Sequence, residues 1–212
     1  MIEAIPVLPL WVDVTAMSTT AMYGAATARS RNVPIAGTLF AGILAGAAGG
    51  MVRDLLLGLE PVAISGPYYL PWILFAAVIG AFLFYGFISQ KLPYLILRGI
   101  AIGLLISIGC QKALIHEAPF VSIILCGVLT ATAGGMALDA LTGHRSAVFS
   151  QAHWFATSLI IGSLVFYGLT ITTNFYIATA SAVLITASLY VLSVVRNWPS
   201  PKWPNESDDM SA

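Results

Sequence analysis

The sequence predicts an all-α integral membrane protein of seven transmembrane helices, arranged as two inverted three-helix repeats followed by a seventh helix. Three observations carry that prediction. The 212 residues are 58% hydrophobic and only 8% charged, with a mean hydropathy of +0.90, whereas soluble domains carry about a quarter charged residues. Apolar runs recur that are long enough to cross a hydrocarbon core of about 30 Å, which takes about 20 helical residues each. A shift of 85 residues, which carries Gly24 onto Gly109, aligns the first half of the chain with the second.

Taken in order, the apolar runs place helices at 10–28, 35–56, 71–89, 95–112, 119–139, 153–171 and 175–195. The start MIEAIPVLPLWVDV is acidic where a cleaved signal would be basic, so the first helix is expected to be retained. The breaks fall at Arg29-Ser30-Arg31-Asn32 before Pro34, at Glu60-Pro61, at Lys91-Leu92-Pro93, at Glu117-Ala118-Pro119 and at Gly143-His144-Arg145. Proline and charge at these points end one helix and open the next. Residues 1–196 then form one transmembrane domain, with repeat one at about 10–89, repeat two at about 95–171 and the seventh helix at about 175–195. The segment 197–212, rich in Pro, Ser and acid, reads as a disordered aqueous tail.

Seven membrane crossings fix which charges share a side. Arg53 and Lys112 fall on the side of the N-terminus, and Arg29, Arg31, Lys91, Arg98, Arg145, Arg196 and Lys202 on the other. Basic residues stay cytoplasmic, so the N-terminus is expected outside and the C-terminus in the cytoplasm. Formal net charge is zero, which gives no basic surface for nucleic acid. Cys110 and Cys126 sit inside apolar runs without CxxC or Cys/His spacing and read as buried thiols, not as a disulfide or metal site.

The 85-residue shift pairs Pro34 with Pro119, Gly42 with Gly127, Gly49-Gly50 with Gly134-Gly135, Asp54 with Asp139 and Gly58 with Gly143. A duplicated unit three helices long enters the membrane from opposite sides, which makes the repeat inverted, as in channels and secondary transporters with mid-membrane sites. The second helix of each copy carries small residues four apart, Gly42, Gly46 and Gly50 against Gly127, Ala131 and Gly135, a stripe that lets backbones approach. Gly49-Gly50 and Gly134-Gly135 are in addition candidate kinks, which would bound a polar passage between the second and fifth helices.

Charges near those glycines are the remaining candidates. Intramembrane ionisable groups face a partner or a water-filled cavity. Asp13 and Arg98 are equivalent under the shift and opposite in sign, and Arg53, Asp54 and Asp139 lie one turn past the Gly-Gly pairs. The expected bridges are Asp13 with Arg53 and Arg98 with Asp139, with Lys112 at an outer mouth. Packing bridges, headgroup anchors and pore-facing charges all fit this pattern.

On these residues the chain resembles the prokaryotic branch of the trimeric intracellular cation channels, the TRIC channels. The segment GGMVRDLLLG, Gly49 to Gly58, is also similar to the GG-x-x-RD signature of a broad bacterial membrane family related to them. The resemblance implies an inner-membrane homotrimer, surrounded by lipid, with a potassium-permeable pore in each protomer bounded by helices two and five. It implies no cofactor beyond the permeant monovalent cation. The second copy, GGMALD, lacks the Arg of the first, and no Lys-Glu-Gly-Gly lipid-binding segment is present, so phosphoinositide regulation is not implied. With no TVGYG filter, selectivity among monovalent cations is expected to be modest. The alternative is a secondary transporter for a small solute such as glycine, using the same helices as gates. No HExxH, GxSxG or Walker sequence suggests an enzyme.

Overall fold

The computed structural model describes residues 8–83, 91–146, 148–149 and 154–200. Eight helices lie among them: α1 (Leu10–Ser30), α2 (Ile35–Leu56), the single turn α3 (Val62–Ser65), α4 (Tyr69–Phe82), α5 (Lys91–Ile115), α6 (Phe120–Leu141), α7 (Phe155–Thr172) and α8 (Phe175–Val195). α2, α5, α6, α7 and α8 are each long and apolar enough to cross a membrane. The chain is an all-helical integral membrane protein. The third helix expected at 71–89 begins at Tyr69 as α4 and is helical to Phe82; residues 84–90 lie outside the described residues, as does most of the expected tail, 201–212. The extra element is α3, a turn folded into the α2–α4 connection.

α1 falls outside the apolar set because it carries Asp13, Thr15, Ser18, Thr19 and Thr20. It tolerates them because it packs against α2, α4 and α5 and buries Asp13, Met17, Ala21, Ala25 and Ala28. Protein, not lipid, surrounds much of it, and its hydroxyls bond the helix's own carbonyls, as Thr20 does to Ala16 at 2.9 Å.

The helix ends show how the two halves correspond. α2 and α6 each follow a proline, Pro34 and Pro119, and each spans 22 residues. Proline fixes its own φ and its lack of an N–H costs nothing before a helix. The C-terminal ends of α1, α2, α5 and α6 close by the Schellman bond, in which the third residue past the helix donates back across the last turn. Val33 N–H reaches Ala28 O at 3.2 Å and Ala118 N–H reaches Ala113 O at 3.0 Å; Leu59 N–H reaches Asp54 O at 2.8 Å and His144 N–H reaches Asp139 O at 2.9 Å. The residue between must adopt positive φ, and it does: Asn32 at 59°, Glu117 at 53°, Gly58 at 69° and Gly143 at 68°. Each pair is separated by the same 85 residues.

Packing within the halves follows small residues. A Cβ on Gly24 would strike Ala45 and lie against the Ala41 carbonyl, and one on Gly109 would strike Thr130 and the Cys126 carbonyl. Gly42 abuts Ala25 and Ala77, while Gly127 abuts Cys110 and Ser163. In α2 the four-residue stripe is thus spent on helix contacts: Gly46 meets Ala21 and Gly50 meets Met17. Between the halves α2 crosses α6, and α8 lies against α5 and α7.

Candidate functional site

The crossing of α2 and α6 is made by the first glycine of each Gly-Gly pair. A Cβ on Gly49 would collide with the Thr130 carbonyl, and one on Gly134 with the Ala45 carbonyl. The contact is reciprocal, since Ala45 and Thr130 are themselves 85 apart. Both helices keep helical backbone through their Gly-Gly pairs, and the first glycine of each pair lets the two backbones touch. The passage expected between the second and fifth sequence helices, α2 and α6, is closed at this crossing.

The open space lies beside it. A cavity among α1, α5 and α6 leaves about 50 Å³ to the centres of water molecules, room for a few waters at about 10–15 Å³ each. Thr19 and Thr20 from α1, Arg98 from α5, and Thr132, Gly135 and Asp139 from α6 are in its wall. Gly135 is the second glycine of its pair, and a Cβ there would meet nothing within 4 Å. The two members of one Gly-Gly pair therefore do different things: Gly134 makes the crossing and Gly135 leaves the cavity open.

Ionisable side chains gather at both ends of the bundle. At the end where α1 begins, Arg53 Nε lies 2.7 Å from Asp54 Oδ1, and Arg53 Nη1 lies 3.7 Å from Asp13 Oδ1. Arg53 and Asp54 are fully buried. Lys112 of α5 reaches Asp54 Oδ1 at 2.9 Å, Val62 N–H of α3 donates to Asp54 Oδ2 at 3.0 Å, and the Tyr69 hydroxyl donates to Asp13 at 3.2 Å. Two acids and two bases balance, as buried charges must. The turn α3 delivers one of those donors.

At the opposite end the structure corrects the expected pairing. Asp139 is bridged not by Arg98 but by Arg31 of α1, at 2.8 Å, and Arg31 also donates to the Thr142 hydroxyl at 2.5 Å. Arg98 has no ion-pair partner among the described residues. Its guanidinium instead lies 4.3 Å from the ring centroid of Tyr23, 5.4 Å from Tyr190 and 5.7 Å from Phe155, cation–π distances to rings on three helices. The acids at both ends are therefore clamped across the halves: Asp54 of the first by Lys112 of the second, Asp139 of the second by Arg31 of the first. Cys110 and Cys126 are free, buried thiols.

The protein-family model described as "Glycine transporter" matches residues 10–88 and residues 95–170. The chain belongs to this family. Its second matched segment begins at 95, which is 85 residues after the first at 10. The inner membrane protein YadS of Escherichia coli (strain K12) is 25% identical over 196 residues, covering 90% of this chain and 93% of YadS. Among solved structures, a TRIC cation channel superposes with a TM-score of 0.82 at 23% identity, covering 92% of this chain and 97% of that one. The TRIC trimeric intracellular cation channel orthologue from Rhodobacter sphaeroides does so at 0.80 with 26% identity, covering 88% and 97%. This member of the family thus shares the TRIC fold, as the resemblance of its motifs implied.

Two functional candidates were missed in the sequence, Arg31 and the aromatic cage of Tyr23, Phe155 and Tyr190. Lys112 projects from the position equivalent to Thr27, one turn before Arg31, so the repeat did hold a signal for a base near Asp139. Nothing in the spacing of the three aromatic residues announced the cage.

Proposed function

We propose that the protein is a channel for monovalent cations, potassium among them, with a pore inside each protomer of a homotrimer in the prokaryotic inner membrane. The observation that carries this reading is the chemistry of the cavity wall. The hydroxyls of Thr19, Thr20 and Thr132 donate their protons to the carbonyls of Thr15, Ala16 and Val128, at 2.7, 2.9 and 2.8 Å. Each has only acceptor lone pairs left, which is what a partly dehydrated cation needs. The TRIC fold and the 26% identity to a trimeric cation channel orthologue support the same reading, and a neighbour named inner membrane protein supports the location.

The seven-crossing, inverted-repeat architecture belongs to this proposal. Matching helix bounds, paired Schellman caps, the reciprocal glycine crossing and the 85-residue offset of the two family matches support it. The Lys/Arg asymmetry then places the N-terminus outside. Recording the purified protein in planar bilayers under a potassium gradient is the test: stepwise currents that reverse near the potassium potential are expected, and silent bilayers that show saturable, gradient-coupled solute uptake in vesicles would replace the channel with a carrier. That second reading, a carrier for a small solute such as glycine, is favoured by the closed α2–α6 crossing and by the family's name.

A further inference from the structure

The two halves of the bundle correspond in backbone and differ in packing. The open cavity is walled in part by Ile102 of α5 and by Thr132, Gly135 and Leu138 of α6. A shift of 85 residues carries these four onto Met17 of α1 and Ala47, Gly50 and Arg53 of α2, and all four of those are buried. A Cβ on Gly135 would meet nothing within 4 Å, whereas one on Gly50 would strike Met17 Cε and come within 3.6 Å of Arg53 Nη2. The methionine side chain therefore fills the space whose counterpart is open. Met17 lies about one turn along α1 from Thr20, a residue of the cavity wall, so it closes the stretch just beyond the cavity. Behind it are unmatched polar atoms. Arg53 is fully buried, and its Nη1 and Nη2 have no hydrogen-bond partner, nor has Asp13 Oδ1, which faces Nη1 at 3.7 Å. Buried donors and acceptors without partners are costly, and water is the partner that would satisfy them. An apolar plug in front of unsatisfied polar groups is the arrangement of a path shut by excluding water.

We propose that Met17 is a gate of the permeation path, closing the half of the bundle in which α1 begins by seating its thioether on Gly50. This inference deepens the channel reading and rests on it. Methionine suits the task, since it is unbranched and its three rotatable bonds let the end of the side chain swing while the helix stays in place. Two opposed terms set its position. The seated side chain is buried in an apolar cluster with Ala21, Ala47 and Ile73, which favours closure. Withdrawal admits water to Arg53 and Asp13 and satisfies their three unmatched atoms, which favours opening. Such opposition is what leaves two states close enough in free energy to interconvert. Gly50 completes the device, because a side chain there would take the seat of the thioether.

The test joins two measurements on the full-length protein. Planar-bilayer currents in potassium are compared for wild type, Met17→Leu and Met17→Ala. Truncation weakens only the state in which the side chain is buried, so Met17→Ala is expected to raise the open fraction by about tenfold or more. Met17→Leu keeps the volume, and with it the fold, but is one atom too short to reach Gly50; it is expected to fall between the other two. In lipid nanodiscs, Met17→Cys is expected to react with a membrane-impermeant charged thiosulfonate faster than the wild-type protein, whose Cys110 and Cys126 are buried. Equal currents from wild type and Met17→Leu, with Met17→Ala either equal as well or unable to fold, would overturn the proposal. So would a Met17→Cys thiol that reacts no faster than those of the wild type. Silent bilayers from every variant, together with a reactive Met17→Cys, would remove the channel reading and leave Met17 as the movable cover of a water-accessible space. Silent bilayers with an unreactive thiol would remove both.

Discussion

Neighbouring glycines in this chain answer to different constraints, and substitution separates them. Gly134→Ala would drive a methyl group into the Ala45 carbonyl, so α2 and α6 must separate and a loss of thermal stability is expected. Gly135→Ala meets nothing and recovers helix propensity, about 0.8–1 kcal/mol, so its melting temperature should rise. Thermal unfolding of the two variants in one detergent is the check, and equal effects would remove the distinction drawn between crossing and cavity. The sequence marked both glycines but assigned them one role, because a Gly-Gly dipeptide does not say which Cα faces a neighbouring backbone. The charges were likewise legible as residues and only partly as pairs. The Arg53–Asp13 contact follows from depth alone. Arg98 and Asp139 share a depth too, but a longer reach from Arg31 and three rings from other helices decide their partners, and those contacts leave no trace in periodicity.

Helices were read from the sequence more surely than their neighbours. α2, α6 and α8 begin and end within two residues of the expected bounds, because Pro34 and Pro119 before α2 and α6, the Asn174 cap before α8 and the left-handed exits at Gly58, Gly143 and Asn197 fix them locally. α1 and α5 run beyond their expected ends, at 28 and 112, to Ser30 and Ile115, since a charged side chain alone does not stop a helix, and the stops are the Schellman closures at Asn32–Val33 and Glu117–Ala118. The closure itself predicts a test. Gly58 sits at φ 69° with nothing within 4 Å of an added Cβ, so only backbone conformation opposes a side chain there. Gly58→Ala should cost about 1–2 kcal/mol, while Gly58→Asn should cost less because Asn tolerates that region, as Asn32 does at the end of α1. Equal denaturation midpoints for the two variants would contradict this account of the helix end.

For the whole molecule, the seven-crossing proposal predicts a cytoplasmic signal from a reporter fused after Arg196 and an external one from a reporter placed before Asp13. Signals from the same side would require an even number of crossings. The cross-half clamps predict energetic coupling: in a double-mutant cycle, Arg31→Gln with Asp139→Asn should show an interaction of about 0.5–3 kcal/mol, larger than that of Arg98→Gln with Asp139→Asn. The reverse order in thermal stability would restore the pairing first expected from the repeat. The clamps also have a bearing on descent. Asp13, Arg53 and Asp54 leave their end of the first half with one negative charge too many until Lys112 arrives, and Asp139 is bridged only from the first half among the described residues. Neither half is electrically complete. If the halves arose from one three-helix ancestor, that ancestor met the same requirement by pairing with an oppositely oriented copy of itself, and gene fusion made permanent a partnership its carboxylates already demanded.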